Sequence, residues 1–333
     1  MDKKRSRLQH KIAPWAFEKK IGPGAITVND GPLGNGPVVR FKTIMRRWWQ
    51  QSVLLSAGLL SASLSFSQTP HTLLWQISGN GLAKPSYLFG TMHVLCAKDA
   101  QLSDSLKSVI AHCDEVYFEI NLSDMSGMLG SMKYMRMNDS RKLSDLLSPK
   151  DYERVRTYFS QHSPLLPFGM LERFKPMLVS SLIEESSLGC ETTDGMELSI
   201  MKELHNKPVN GLETVEFQAG LFDSIPYEQQ AKDLVNYIDS SEEYKKMTRE
   251  LAEVYKHQDL DRIDSLSRKG DPGMSNYMDL LLYGRNRDWA KKLAALLPRK
   301  SLLVAVGAAH LPGENGVIDL LRKQGYTLTP LKN

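Results

Sequence analysis

Two short segments, far apart in the chain, constrain the fold more than any other part of the sequence. Residues 87–93 (YLFGTMH) and 302–310 (LLVAVGAAH) each run from an apolar stretch to a glycine and then, after two further residues, to a histidine. Glycine suits a tight turn after a buried strand because it tolerates positive φ and leaves room beside the backbone. Since α/β folds place their chemistry at strand ends, both turns are predicted to deliver an imidazole to one edge of a sheet. The residues concerned are Gly90, His93, Gly307 and His310.

The remaining hydrophobic pattern predicts an α/β fold with a mixed central sheet flanked by helices and a long helical middle region. Runs typical of strands occur at 72–78, 87–90, 115–120, 207–213, 302–306 and 326–331, the last predicted to lie at a sheet edge. Helical patterns occur at 103–112, in proline-broken pieces across 143–188, across 214–269, and at 279–297 and 317–324.

Two local patterns give more specific predictions. Met125, Met128, Met132 and Met135 recur at helical intervals, which is typical of a helix facing the core, or alternatively of an adaptable binding wall. Residues 194–197 (DGME) resemble a capping box that begins a helix.

Polar side chains at other strand ends complete a candidate site. Glu119 comes late in an apolar run, where a carboxylate is costly unless it is paired or binds an ion, and Glu213 ends another run. Two imidazoles and a carboxylate form a reasonable ligand set for a borderline divalent ion. Arg285, followed by Asn286, interrupts an apolar helix and is predicted to hold a substrate carboxylate or to stabilise an oxyanion. The sequence contains no H-E-x-x-H, G-x-S-x-G or P-loop motif.

The beginning of the chain differs from the rest. Residues 45–67 combine a basic start, an apolar stretch and small residues at 65 and 67, which together predict a secretory signal peptide. An uncleaved N-terminal anchor is the alternative. Because a signal peptide should begin a protein, residues 1–44 are interpreted either as the product of an upstream start assignment or as a disordered extension.

Export changes the charge balance. Residues 1–67 contain eleven Lys or Arg and three Asp or Glu, so 31 basic and 35 acidic residues remain of the chain's 42 and 38. The predicted mature protein is therefore mildly acidic, and it has no basic stripe with interleaved aromatic residues. Nucleic acid is thus not expected as a partner.

Three cysteines, Cys96, Cys113 and Cys190, remain after residue 67. An exported protein can oxidise two of them, and the spacing leaves open which two pair or whether all three stay reduced. The spacing does not fit a zinc ribbon.

The ordered set of motifs resembles the TraB/GumN (TIKI-like) family. The resemblance covers residues 72–331, and it is carried by the segments YLFGTMH at 87–93, YFE at 117–119, KPVNGLET at 207–214 with Gln218, RNR at 285–287 and VGAAHLPG at 306–313. It implies a fold related to erythromycin-esterase and haem-binding ChaN-like proteins, with a single domain at 68–333.

The resemblance also implies an activity. The animal members of the family are membrane-anchored proteases that depend on manganese or cobalt and trim an N-terminus. Their G-x-x-H histidines and glutamate correspond to His93, His310 and Glu119. Many bacterial relatives have no established activity.

We therefore expect an exported, periplasmic or extracellular metal-dependent hydrolase, specifically a peptidase, with manganese, cobalt or zinc as its ion. Its expected partner is a peptide or a small-molecule substrate, and no stable membrane span is expected after signal cleavage. The alternative is a non-catalytic protein that sequesters a peptide or haem. Two histidines, a strand-end glutamate and an arginine together favour the enzyme, because binding alone does not require this combination.

The predicted signal peptide can be tested directly. Protein purified from its native host should have its N-terminus near Gln68, because signal peptidases cut after small residues such as those at 65 and 67. N-terminal sequencing provides the measurement, and an intact segment 1–67 on the purified protein would contradict the prediction.

Overall fold

The computed structural model describes residues 71–124, 130–162, 167–269 and 276–333, and of residues 184–186 only the backbone. The signal peptide and the N-terminal extension predicted above lie outside the described residues.

Within this part of the chain, six strands form a mixed sheet with the order β6-β4-β7-β2-β1-β8. Strands β2, β7, β4 and β6 run parallel, whereas β1 is antiparallel to both of its neighbours. A separate antiparallel pair joins β3 and β5. The strands are β1 (Leu74–Gly79), β2 (Ser86–Thr91), β3 (Leu95–Cys96), β4 (Glu115–Ile120), β5 (Thr193–Asp194), β6 (Val209–Glu213), β7 (Leu302–Gly307) and β8 (Tyr326–Pro330).

The described helices fall into a long middle region and two flanking layers. They are α1 (Asp104–His112), α2 (Leu143–Leu146), α3 (Pro149–His162), α4 (Phe168–Leu171), α5 (Pro176–Ser187), α6 (Met196–Glu203), α7 (Val215–Leu221), α8 (Tyr227–Asp239), α9 (Ser241–Lys256), α10 (Leu260–Lys269), α11 (Gly284–Leu296) and α12 (Val317–Lys323). Short 3₁₀ turns occur at Met132–Met135, Asn138–Ser140, Phe222–Ser224 and Ala308–His310, and a π-helical segment at Asp279–Tyr283 leads into α11.

Strand β7 shows why the sheet is covered on both faces. Its side chains alternate: Leu302 and Val304 pack in a core with α11 and α12, whereas Leu303 and Ala305 pack in a core with α1 and α6. A strand that is buried on both faces has a continuous apolar sequence, and β7 has such a sequence. A third core lies within the helical middle region and is built from α2, α3, α4, α5 and α8.

The predicted fold class is confirmed: a mixed central sheet is flanked by helices, and helical segments lie along the chain between β4 and β6 and between β6 and β7. The predicted strands and helices are present, and β8 lies at a sheet edge. The prediction for the methionine row was wrong in its described part, because Met132 and Met135 lie in a 3₁₀ turn and Met132 is 40% exposed. Met125 and Met128 lie outside the described residues. Among the described helices, none is both long enough and apolar enough to cross a membrane.

The cysteine alternatives are resolved by the structure. Cys96 on β3 is bonded to Cys190, which precedes β5, and Cys113 is a buried free thiol. The disulfide therefore closes a long stretch of chain, with a sequence separation of 94. Cross-links of this kind stabilise proteins mainly by restricting the unfolded chain.

Loss of the disulfide should be measurable as a loss of stability. We expect Cys190→Ser to lower the free energy of unfolding by about 2–4 kcal/mol, as measured by urea denaturation under oxidising conditions. With a dithiol reductant present, the wild-type protein should match the variant. A wild-type protein whose unfolding is indifferent to the reductant would contradict the bond.

Candidate functional site

The carboxyl ends of four parallel strands bring the predicted site residues together. In the β2–β7 pair Thr91 lies opposite Gly307, so the two G-x-x-H turns leave adjacent strands at the same edge. Strand β4 pairs with β7 on its other side and carries Glu119, and β6 pairs with β4 and ends at Glu213. The expected convergence at one sheet edge follows directly from this topology.

The glycines of the two turns act through close packing. Neither Gly90 nor Gly307 has positive φ. A Cβ atom on Gly90 would lie 3.1 Å from Ala308 Cα and from Leu311 Cδ2, and one on Gly307 would lie 3.2 Å from Glu119 Oε1. Glycine is therefore favoured at these two positions because neighbouring atoms leave little room for a Cβ, and not because the backbone adopts positive φ.

His310 is buried and held in one orientation. The Asn286 amide Nδ2 donates to the carbonyls of Asn315 (2.8 Å) and His310 (3.3 Å), so its Oδ1 faces the imidazole and accepts from His310 Nδ1 at 2.6 Å. The indole of Trp289 lies against the ring, with 4.4 Å between centroids. The proton is thus placed on Nδ1, and Nε2 presents a lone pair to the site.

Glu119 is anchored from two sides. Its Oε1 accepts the Gly307 N–H at 2.9 Å and lies 3.7 Å from His310 Nε2. Its Oε2 accepts from Arg285 at 2.6 Å and from Gln218 Nε2 at 3.1 Å. The carboxylate is therefore satisfied despite having only 11% of its side chain exposed.

Arg285 lies at the centre of this cluster. Its guanidinium contacts both oxygens of Glu213 through Nε, at 3.1 and 3.0 Å, and bridges Glu213 and Glu119 through Nη2, at 2.8 and 2.6 Å. Nη1 donates to Leu281 O at 2.9 Å and lies 3.3 Å from His310 Nε2. Because the guanidinium is already paired with two protein carboxylates, its contacts favour a positioning role over the predicted role of holding a substrate carboxylate.

His93 has a different environment. Its Nδ1 lies 2.7 Å from Glu197 Oε1, and its side chain is 66% exposed whereas that of Glu197 is 12% exposed. The hydrogen bond to Glu197 raises the pKa of His93 to about 9. Because the ring is exposed, solvent screens its attraction to Glu197, and the short contact with that carboxylate is what raises the pKa of His93.

Glu197 was not recognised from the sequence as a site residue. The predicted capping box was wrong: Gly195 is the N-cap of α6 and no side chain caps the helix. Instead, Met196 N donates to Met92 O at 3.1 Å, and a Cβ on Gly195 would lie 2.5 Å from His93 O, so the start of α6 docks on the His93 loop. The sequence feature that could have indicated Glu197 is a glycine followed by an acidic residue in the first turn of α6.

Burial and charge set the protonation states of the other two groups. Burial, opposed by the charge of Glu119 and reinforced by Arg285, lowers the pKa of His310 to about 3. Burial by itself would raise the pKa of Glu119, but His310, Arg285 and the Gly307 N–H together bring it down to about 2. Because His310 is neutral at pH 7 whereas His93 is charged, we attribute the ionisation of Glu119 there to Arg285, His93 and the N–H.

These groups border a cavity of about 380 Å³. Its lining includes His93, Glu119, Arg285, Gly307 and His310, so the imidazoles and the carboxylate face one space. Glu213 and Asn286 stand behind this wall, where they hold Arg285 and His310.

The described residues contain no group of three or more His, Cys, Asp or Glu side chains already arranged to hold a metal ion. The chemistry of the donors nevertheless fits a divalent ion. Each imidazole has Nδ1 bound to an oxygen acceptor, which is how metal-binding histidines are commonly oriented, and Glu119 is ionised. An ion at His310 Nε2 would have to replace the contact with Arg285, and His93 would have to release a proton.

Comparisons with known proteins identify the family of this chain. The model of the TraB/PrgY/gumN family matches residues 73–330. The chain is 24% identical over 310 residues to metalloprotease TIKI1 of Danio rerio, covering 77% of this chain and 62% of that protein. It is 27% identical over 340 residues to the metalloprotease TIKI homolog of Amphimedon queenslandica, covering 84% and 65% respectively.

The chain therefore spans less than two thirds of the length of these curated relatives. No solved structure matches, so the predicted kinship with ChaN-like and erythromycin-esterase folds stays a prediction.

The pairing of His93 with Glu197 predicts a defined pH dependence. In chelator-treated protein, Glu197→Gln should lower the pKa of His93 from about 9 toward its ordinary value of 6.5, because the hydrogen bond to the carboxylate is the main cause of the shift. An NMR titration of the imidazole measures this. A group whose folded pKa is raised stabilises the fold fully below its unfolded pKa, and this contribution is lost as pH rises through the folded pKa.

The stability difference between wild type and Glu197→Gln should accordingly shrink between pH 6.5 and about 9. In a His93→Gln background, the Glu197 substitution should show no such pH dependence, which separates the pair from other effects of the carboxylate. A His93 that titrates near 6.5 in the wild-type protein would refute the pairing.

Proposed function

Because this chain belongs to the TraB/PrgY/gumN family, and because its strand-end cluster presents two imidazoles and an ionised carboxylate to one cavity, we propose that it is a metal-dependent hydrolase acting on peptides. Its named relatives are metalloproteases, which supports a reaction of this class. His93, Glu119 and His310 are the proposed ligands of a manganese, cobalt or zinc ion.

One observation carries the proposal: the buried charges at the strand ends do not cancel. Glu119 and Glu213 share a single guanidinium, that of Arg285, which leaves one excess negative charge in a cluster whose side chains are 7–11% exposed. A buried excess charge is costly unless a further cation compensates it. A divalent ion beside Glu119 and the two imidazoles would supply that compensation.

The surrounding residues hold the donors in position. Asn286 fixes His310 so that Nε2 faces the cavity, and Glu197 orients His93 through its Nδ1. The Gly307 N–H donates to one oxygen of Glu119 and Arg285 donates to the other, so both oxygens of the carboxylate are held. A ligand set whose rings and carboxylate are fixed beforehand loses little freedom on binding an ion.

When bound, a divalent ion would act as a Lewis acid toward a peptide carbonyl and would lower the pKa of a water molecule. Arg285 keeps Glu119 ionised and positions it. The N–H that Nη1 now directs toward His310 Nε2 is the one that would become available to a substrate oxygen.

The disulfide supports the further proposal that the protein is exported to the periplasm or beyond the cell. Disulfides form and persist in oxidising compartments, and Cys96–Cys190 is bonded here. The signal peptide predicted at 45–67 would provide the route.

Metal binding is the first test of this proposal. Adding Mn²⁺, Co²⁺ or Zn²⁺ to chelator-treated protein should raise its melting temperature in a concentration-dependent way, by the equivalent of about 2.7 kcal/mol at 100 times the dissociation constant. His93→Ala and His310→Ala should each abolish this shift. His112→Ala, which changes an exposed histidine on α1, is the matched control and should retain it.

The same samples separate the enzyme from a binding protein. Cleavage of a peptide library that requires the added ion, and that disappears in both active-site histidine variants, supports the hydrolase. Ion binding without any cleavage supports the non-catalytic alternative. An ion-induced shift that survives in both variants would remove the two histidines from the site.

A further inference from the structure

The cavity has two unlike walls. His93, Glu119, Arg285 and His310 form one of them. A second part of the lining, which we call the apolar wall, consists of the side chains of Met92, Val94, Met247, Leu251 and Leu282.

The apolar wall is assembled from three parts of the chain. Met92 and Val94 flank His93 directly, Met247 and Leu251 lie one helical turn apart on α9, and Leu282 belongs to the π-helical segment before Arg285. All five side chains are half-buried. Half-buried apolar side chains that converge on one space are typical of a binding surface.

Met247 and Leu282 are the informative members of the wall. Leu251 also packs against the core that includes α1 and α6, as do Met92 and Val94, so their positions are partly explained by folding. Met247 and Leu282 are not among the side chains that pack on the cores of the described chain. Within the described chain, both side chains line the cavity without belonging to a core cluster.

The polar groups on this side do not suit a charged substrate side chain. The hydroxyl of Tyr255 donates to Gly90 O at 2.9 Å and is thereby used. Thr248 and Ser267 add hydroxyl groups to the lining, and these carry no charge that could neutralise a charged substrate side chain. The ionisable side chains of the lining other than Tyr255 are His93, Glu119, Arg285 and His310, and none of them belongs to the apolar wall.

We infer that this cavity takes a peptide through one large apolar side chain, of the size of Leu, Met or Phe, placed against the apolar wall beside the bond to be cut. This inference rests on the proposed function and specifies its substrate class. A volume of about 380 Å³ lies at the small end of ligand pockets, which suits one side chain with its backbone and not an extended macromolecule. Two methionines in the wall allow it to adapt to more than one apolar shape.

The first experiment is a cleavage assay with a peptide library and added Mn²⁺, Co²⁺ or Zn²⁺. Products should show Leu, Met or Phe enriched at one fixed position next to the cut. For a single substrate, replacing that residue by Ala should lower kcat/KM at least tenfold, because several buried methylene groups are lost. Cleavage with no preference at any position would overturn the inference while leaving the hydrolase intact.

A charge introduced into the wall gives a sharper test. Met247→Glu should lower the ratio of kcat/KM for the Leu peptide over its Lys counterpart at least tenfold, since the new carboxylate attracts the ammonium group and repels no part of a neutral peptide. Because the ratio is measured on one sample, partial unfolding cannot imitate this result. Met170→Glu, at an exposed position of α4, makes the same substitution outside the cavity and should leave the ratio unchanged.

A binding measurement separates failure of the inference from failure of the proposed function. In protein labelled with ¹³C-methyl methionine, the Met92 and Met247 signals should shift on titration with an N-acetylated, C-amidated Leu tripeptide and not with its Asp counterpart. If the Leu peptide shifts these signals but no ion supports cleavage, the substrate class stands and the hydrolase falls. If neither peptide shifts them and no apolar preference appears in cleavage, the inference is refuted.

Discussion

Much of this structure depends on one buried guanidinium. Arg285 joins Glu119 at the end of β4, Glu213 at the end of β6 and His310 in the turn after β7, so three strand ends are fastened to one side chain. Removing one partner from a buried ionic network costs about 3–5 kcal/mol, because the remaining charges are left without compensation. The same contacts that organise the sheet edge therefore organise the site, and the two cannot vary independently.

The position of Arg285 is itself set by an unusual piece of helix. The π-helical turn Asp279–Tyr283 places Leu281 O where it accepts from Nη1. A Cβ on Gly284 would lie only 2.8 Å from Asp279 O, so glycine permits the wider turn to pass into α11. Single π-turns inside helices are frequent at functional sites, and here the turn aims the guanidinium at the carboxylates and over the face of Trp289, at 4.8 Å from the ring centroid.

The sequence predicted the sheet edge well because its evidence was local and periodic. Apolar runs ending on glycine identified β2 and β7. Alternate side chains of β7 pack into the cores on opposite faces of the sheet, which explains why this strand has no polar face. The partners of the histidines were not predictable in this way. Glu197 reaches His93 only through the docking of α6 on the loop after β2, a tertiary contact with no sequence period. The pairing of Cys96 with Cys190 could not be predicted for the same reason, since the spacing of cysteines does not determine which segments of the chain come together in the fold.

The two histidines illustrate two ways of holding a side chain. His310 is 4% exposed and is fixed by packing against Trp289 and by Asn286, so its orientation follows from the core. His93 projects into solvent and has no such packing, and its position depends on the loop that carries it. That loop continues into β3, which pairs with β5, and the disulfide Cys96–Cys190 joins the same two segments covalently.

Because β5 leads directly into α6 and Glu197, the cross-link ties both members of the His93–Glu197 pair to one rigid corner. A covalent restraint of this kind compensates for burial that the exposed His93 lacks, since it lowers the number of conformations the loop can adopt. The sheet edge thus supplies one histidine through packing and the other through a tethered loop, and each has its Nδ1 bound to an oxygen acceptor.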